Sequence, residues 1–164
     1  MAFLVRRPFA FIIIAIVCVV LIIQLSGSFN KKPIEIVAVE IIPTLKDHQI
    51  SMMKNTTLTV IIKNKGASLH SVEYRIVGTF ASEDLLFYDS ITGTLLPSPV
   101  WTGSNYTITY PVTRNLNVQE EWGVSVIIKG LDPKGDSATY TIFVEVLADG
   151  ALSERKTIQL KVVR

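Results

Sequence analysis

Cysteine is nearly missing from this 164-residue sequence, and its one example, Cys18, lies inside an apolar run near the amino terminus. Everything after that run must therefore fold without a disulfide of its own. Histidine is also scarce, with His48 and His70 alone. A copper site of the cupredoxin kind needs a thiolate, two imidazoles and usually a thioether; Met52 and Met53 are present, but no thiolate is available beside them. No nucleophile elbow and no glycine loop opening onto a helix occurs, so neither acyl transfer nor phosphate cradling is expected. These gaps lead us to expect no enzyme activity, no metal and no cofactor. No acidic residue precedes Glu35, and the residues from there on carry 12 basic against 14 acidic side chains. With no basic cluster interleaved with aromatics, a nucleic-acid partner is not expected.

What the amino terminus does contain is Arg6 and Arg7, then Pro8, then residues 9–25 without a charge. As a helix this run would rise about 25 Å, at the short end of what crosses a hydrocarbon core. Flanking arginines favour a cytoplasmic amino terminus, with Lys31 and Lys32 pulling weakly the other way. The expected layout is a cytoplasmic end at 1–8, a transmembrane helix at 9–25, a polar spacer at 26–33 and an extracellular domain at 34–164. A cleaved secretory signal is the rival reading, with Ser26-Gly27-Ser28 as the small-residue region. Cleavage of the archaeal pilin kind, between a basic and a small residue, is disfavoured because Pro8 follows Arg7.

From Ile34 onward the apolar spacing becomes two, the period of a sheet with one wet face and one dry face. Leu58, Val60 and Ile62 alternate with polar neighbours, as do Val72, Tyr74 and Ile76, and Tyr106, Ile108 and Tyr110. The pattern returns in Val124, Val126 and Ile128, in Tyr140, Ile142, Val144 and Val146, and in Ile158, Leu160 and Val162. Asn64-Lys65-Gly66 reads as a strand end, residues 130–135 as a turn, and Asp149-Gly150 as a two-residue hairpin turn. On that punctuation the last three strands, at 122–129, 138–148 and 153–163, form a meander. Seven or eight short strands in one all-β domain fit an immunoglobulin-like β-sandwich, with a closed barrel as the alternative.

The middle of the chain is the least regular. Residues 83–89 and 95–101 hold many large apolar side chains, two prolines and little alternation. They read either as an edge strand plus a sheet-crossing connection packed into the core, or as an exposed patch that docks a partner or a second copy. Glu83, Asp84 and Asp89, or Asp132 and Asp136, could converge on calcium, but neither set has a ligand spacing, and solvated loops are the simpler reading. Glu120 and Glu121 read as a charge pair at the start of a strand. His48 and His70 read as loop or strand-end residues. Asn55-Thr56-Thr57 and Asn105-Tyr106-Thr107 fit the N-glycosylation acceptor pattern, and an occupied Asn55 or Asn105 would mark a surface closed to partners.

A short basic start, an apolar helix from residue 9, a polar spacer, Ile34-Glu35-Ile36-Val37 opening the exported part, and a cysteine-free sandwich ending at Arg164 together resemble the archaeal FlaF (ArlF) family of archaellum accessory proteins. The resemblance implies a single-pass membrane protein whose sandwich sits between the membrane and the surface lattice. It implies binding to the S-layer protein, as a stator of archaeal motility beside other archaellum motor and stator proteins. It carries over no catalytic residue. The interface candidates come from apolar character instead: Leu86, Tyr88, Leu95, Leu96, Val100 and Trp101, for a homodimer or lattice contact, with Trp101 as the expected anchor. A pilin-like filament subunit and an envelope solute-binding or enzyme-accessory module are the rival functions.

Overall fold

The structure, a computed structural model, describes residues 32–42 and 48–164. The expected transmembrane helix at 9–25 and its flanks lie outside the described residues, and among those described no helix is long and apolar enough to cross a membrane.

The described residues form eleven strands: β1 (Ile34–Ile42), β2 (Gln49–Ser51), β3 (Asn55–Asn64), β4 (His70–Gly78), β5 (Leu85–Asp89), β6 (Val100–Trp101), β7 (Tyr106–Thr109), β8 (Arg114–Leu116), β9 (Glu121–Gly130), β10 (Ser137–Ala148) and β11 (Ala151–Val163). The excess over the expected seven or eight comes from β2, β6 and β8, which have only two or three residues each. Such pieces are too short to show a period. One sheet has the order β1-β3-β9-β5; the other runs β2-β11-β10-β4-β7-β6, with β8 also paired to β4. β2 pairs with β11 in parallel, and the remaining pairs of both sheets are antiparallel. The domain is a two-layer β-sandwich.

Alternation builds its core. Leu58, Val60 and Ile62 on β3, and Val124, Val126 and Ile128 on β9, are buried on the inner face of the smaller sheet. Val72, Tyr74 and Ile76 on β4, the even positions of β10 from Tyr140 to Val146, and Ile158, Leu160 and Val162 on β11 meet them from the larger one. Each such side chain contributes about 1.5–3 kcal/mol relative to exposure. With no disulfide in the domain, this layer carries the stability.

Two expectations about topology are corrected. The last three strands are not a meander: β9 lies between β3 and β5, whereas β10 and β11 form a hairpin in the other sheet. Gly and Pro at 130–135 mark a break in the chain but not which sheet it enters next, and here it changes layers. The crossing is fastened by Leu131 N–H donating to Asp84 O (2.9 Å) and by Arg164 on Asp132 (2.7 Å). Residues 85–89 do alternate, with Leu85, Phe87 and Asp89 buried. A carboxylate on the inner side and Leu86 and Tyr88 on the outer side had hidden that period.

Asp149-Gly150 is the expected two-residue hairpin turn. Ala148 pairs with Ala151, and φ of +50° and +82° place both turn residues in the left-handed region. At the β1 edge the sheets are joined by side chains instead of a ladder. Ile34 N–H donates to Ser153 Oγ (3.2 Å), Ser153 Oγ donates back to Ile34 O (2.6 Å), and Ile36 N–H donates to Glu154 Oε2 (2.5 Å). The result is a sandwich with a stitched seam, not a closed barrel.

Gly78 and Gly123 give a paired test of the packing. A Cβ on Gly78 would lie 2.5 Å from Thr141 O and 2.6 Å from the Phe80 ring, whereas one on Gly123 meets nothing within 4 Å. Gly78→Ala is expected to cost about 1–3 kcal/mol in denaturant melts. Gly123→Ala should leave the midpoint within about 0.5 kcal/mol of wild type.

Candidate interaction surface

The six interface candidates separate into three environments. Leu86 and Tyr88 project half-buried from the outer face of the smaller sheet, where β5 is an edge strand paired to β9. Tyr88 stands opposite Ile127, which in turn stands opposite Thr57 of β3. Further along the same face come Thr59 and Ser125, joined through their hydroxyls at 3.0 Å, and then Ile61 beside Gly123. Charges on this face sit at its borders: Lys129 and Asn55 share a row with Leu86 at one end, Lys63 bonds Glu121 at 2.9 Å at the other, and Glu40 lies on β1.

Residues 94–96 run alongside β5. Asp89 N–H donates to Thr94 O (2.9 Å), Leu96 N–H donates to Phe87 O (2.8 Å), and Leu95 bridges to Tyr88. Consecutive residues of an extended segment face opposite ways, so only one leucine can face solvent. Leu95 does, at 56% exposure. Leu96 is a core residue at 5% and is withdrawn as a contact candidate. A shallow cleft opens between Leu86, Leu95, Pro97 and Pro99. The chain then reaches the opposite sheet, where Val100 and Trp101 form its outermost strand, 64% and 56% exposed. The sheet-crossing connection and the exposed patch, read as alternatives from the sequence, are therefore both present in one segment. The Trp101 ring lies 5.0 Å from that of Tyr106, its cross-strand partner.

One signal was missed in the sequence. No Asp, Glu, Lys, Arg or His occurs from Ser90 to Thr113, and this stretch supplies Ile91, Leu95, Val100, Trp101 and Val112 as exposed apolar residues. By contrast, the outer face of the larger sheet is charge-paired. Glu145 stands between Arg155 and Arg75 in register, Arg155 Nε donates to Glu145 at 2.8 Å, Arg75 Nε donates to Glu73 at 2.5 Å, and Arg155 lies 5.1 Å over the Phe143 ring. Paired charges of this kind suit a face turned to water.

Three of the carboxylates considered for calcium, Asp84, Asp89 and Asp132, are engaged with separate partners. Asp89 accepts the Tyr110 hydroxyl on Oδ2, and on Oδ1 the N–H groups of Ile91 (3.0 Å) and Thr92 (2.7 Å) and the Thr92 hydroxyl (2.9 Å). These donors, Tyr110 foremost, hold its pKa down at about 2, while burial, reinforced by Asp89, pushes Tyr110 up to about 12. Asp84 caps a turn through Ala81 N–H (2.7 Å) and receives the Tyr140 hydroxyl (3.3 Å); burial pushes Tyr140 up to about 12. Asp132 is held by Arg164, as described above. Among the described residues no three His, Cys, Asp or Glu side chains converge as metal ligands.

Glu121 opens β9 and is bonded to Lys63, whereas Glu120 lies in the turn just before the strand. Glu120 accepts Asn117 N–H (2.9 Å) and Arg114 (3.0 Å), and the Asn117 amide foremost lowers its pKa. His48 is exposed just before β2, and His70 begins β4. The Nδ1 of His70 lies 2.6 Å from Asp149, whose other oxygen accepts Ser71 N–H at 2.9 Å, so the β10–β11 turn is clamped to β4.

No family model matches the chain, and no curated protein matches it. Solved structures resemble it in fold. AvmM, described as catalysing macrocyclization in alchivemycin A biosynthesis, is 11% identical with a TM-score of 0.54, covering 82% of this chain and 90% of its own. The alkylpurine DNA glycosylase AlkC of Pseudomonas fluorescens, bound to DNA with an abasic-site analogue, is also 11% identical with a TM-score of 0.51; 80% of this chain is covered but only 31% of that one. The CARDB domain of the PF1109 protein of Pyrococcus furiosus, in complex with di-metal ions, is 17% identical with a TM-score of 0.47, covering 81% and 91%. At these identities the likeness is one of fold alone.

Asp89 generates a pH prediction. A folded-state pKa of about 2, below the ordinary 3.8, makes its stabilisation complete above pH 4 and lost as pH falls toward 2. Thermal melts of the wild type should therefore drop across that window. Asp89→Asn should melt lower than wild type at neutral pH and show a flatter slope between pH 4 and 2, with Glu35, Glu120 and Asp149, whose pKa values are also lowered, supplying the remainder.

Proposed function

We propose that this chain is a membrane-tethered, non-enzymatic anchor of the archaellum-accessory kind. Residues 9–25 hold it in the membrane, and its exported immunoglobulin-like sandwich grips the S-layer protein as a fixed point for the motor. The observation that carries this reading is the outer surface formed by Tyr88, Ile127, Leu86 and Leu95, where charge enters only at the border through Lys129, set on a rigid sheet. Interfaces are depleted of charge at their centres and enriched in aromatics, and Tyr88 meets both conditions. A torque-bearing tether also needs a body that resists shear. Rows of backbone hydrogen bonds in two sheets provide one, and repeated weak contacts to a lattice add through multivalency.

Residues 34–164, immobilised and exposed to solubilised cell envelopes, should capture the S-layer protein, identified by mass spectrometry. Tyr88→Ala combined with Leu95→Ser should reduce that capture at least tenfold with an unchanged melting temperature. Recovery of filament subunits in place of the lattice protein would favour a pilin-like role. Specific retention of a soluble small molecule would favour a binding module.

A further inference from the structure

The Asn105 sequon and the most exposed aromatic side chain among the described residues, Trp101, share one hairpin. Trp101 and Tyr106 are cross-strand partners on β6 and β7, and residues 102–105 form the loop between them. That loop is a defined turn: Asn105 O accepts both Thr102 N–H (2.9 Å) and the Thr102 hydroxyl (2.8 Å), and Gly103 takes a φ of +90° that other residues rarely adopt. The Asn105 side chain is lightly held, with Nδ2 donating only a long 3.3 Å bond to Ser104 Oγ. Thr107, the third sequon residue, lies half-buried on β7. Asn55, the other sequon asparagine, opens β3 beside Lys129 instead of an aromatic ring.

We propose that Asn105 carries an N-linked oligosaccharide and that its first sugar lies on the face of Trp101. Three features favour a covalently attached sugar over a protein partner at this spot. The apolar surface is small and sits at the tip of a hairpin. The residues from Ser90 to Thr113 bear no charge, which suits a neutral sugar. An acceptor asparagine stands four residues from the ring, so the ligand would be delivered at high effective concentration. An indole face offers a flat, polarisable surface to the C–H groups of a pyranose, and covering it removes apolar area from water. The donor would be a polyprenyl-phosphate-linked oligosaccharide. The bond formed joins Asn105 Nδ2 to the anomeric carbon, the bond broken is from that carbon to the phosphate oxygen, the lipid phosphate leaves with the electron pair, and the amide proton passes to the transferase. On this assignment Val100 and Trp101 are covered by the protein's own sugar, and partner contacts fall to the Tyr88 face.

The proposal rests on export of the domain, so the test reads export separately. Full-length protein is isolated from native membranes, its Asn105 peptide is weighed by mass spectrometry, and intact spheroplasts are treated with protease in parallel. The expected result is hexose-containing mass on Asn105, absent in Thr107→Ala and Asn105→Gln, in a domain the protease can reach. Iodide quenching of tryptophan fluorescence should be at least twofold stronger in Asn105→Gln than in wild type, because Trp122 is buried in both and only Trp101 changes access. An unmodified Asn105 in a protease-sensitive domain overturns the sugar and leaves the exported anchor standing. A protected domain overturns both. A modified Asn105 with unchanged quenching overturns the contact with Trp101.

Discussion

Contact between the inner faces of two sheets is the interaction on which the rest of this domain depends, because no disulfide ties the layers together. β3 and β9 on one side and β4 and β10 on the other place mainly branched aliphatic side chains, with Tyr74, Trp122 and Tyr140 among them, at alternate positions, and the buried cluster they form is continuous. Side-chain hydrogen bonds then fix the margins. Ser153 and Glu154 stitch the β1 edge to β11, Asp149 pins a hairpin turn to β4, and Asp89 gathers a turn and Tyr110 around one carboxylate. Each is a weak bond in isolation. Together they set where the sheets begin and stop.

The two outer faces differ in kind, and that difference organises the functional reading. The larger sheet presents alternating acids and guanidinium groups that neutralise one another across strands. The smaller sheet presents hydroxyl and apolar side chains with charge at its borders. A segment without charge leads from the edge of the smaller sheet to the edge of the larger. Its two ends suit different uses, since one is a flat surface continuous with Tyr88 and the other a hairpin tip with an acceptor asparagine beside an indole ring.

Much of the fold was legible because burial in a sandwich leaves a period of two wherever a strand has one wet face. β3, β4, β9, β10 and β11 each display it over several turns of the pleat, and Asp149-Gly150 declares its hairpin by residue type. β5 was obscured by two outward apolar residues and one inward carboxylate. β2, β6 and β8 are too short for any period. The meander was misread because residues 130–135 show that the chain breaks but not which layer receives it. At the surface, apolar character made Leu86, Tyr88, Leu95, Leu96, Val100 and Trp101 candidates for an exposed patch, but it could not decide between patch and core or separate Leu95 from Leu96, since both are the same residue in one extended run.

By itself the sequence determined an all-β domain without disulfides, its main strands and their inward faces, because those follow from local periodicity and composition. Tertiary structure decided the sheet to which each strand belongs, the burial of Leu96, the engagement of Asp84, Asp89 and Asp132 with separate partners, and the meeting of Trp101, Tyr106 and Asn105 on one hairpin. Those outcomes depend on which residues pair, near or far along the chain, and on which side of an extended segment faces the core, and neither is encoded in the identity of a single residue.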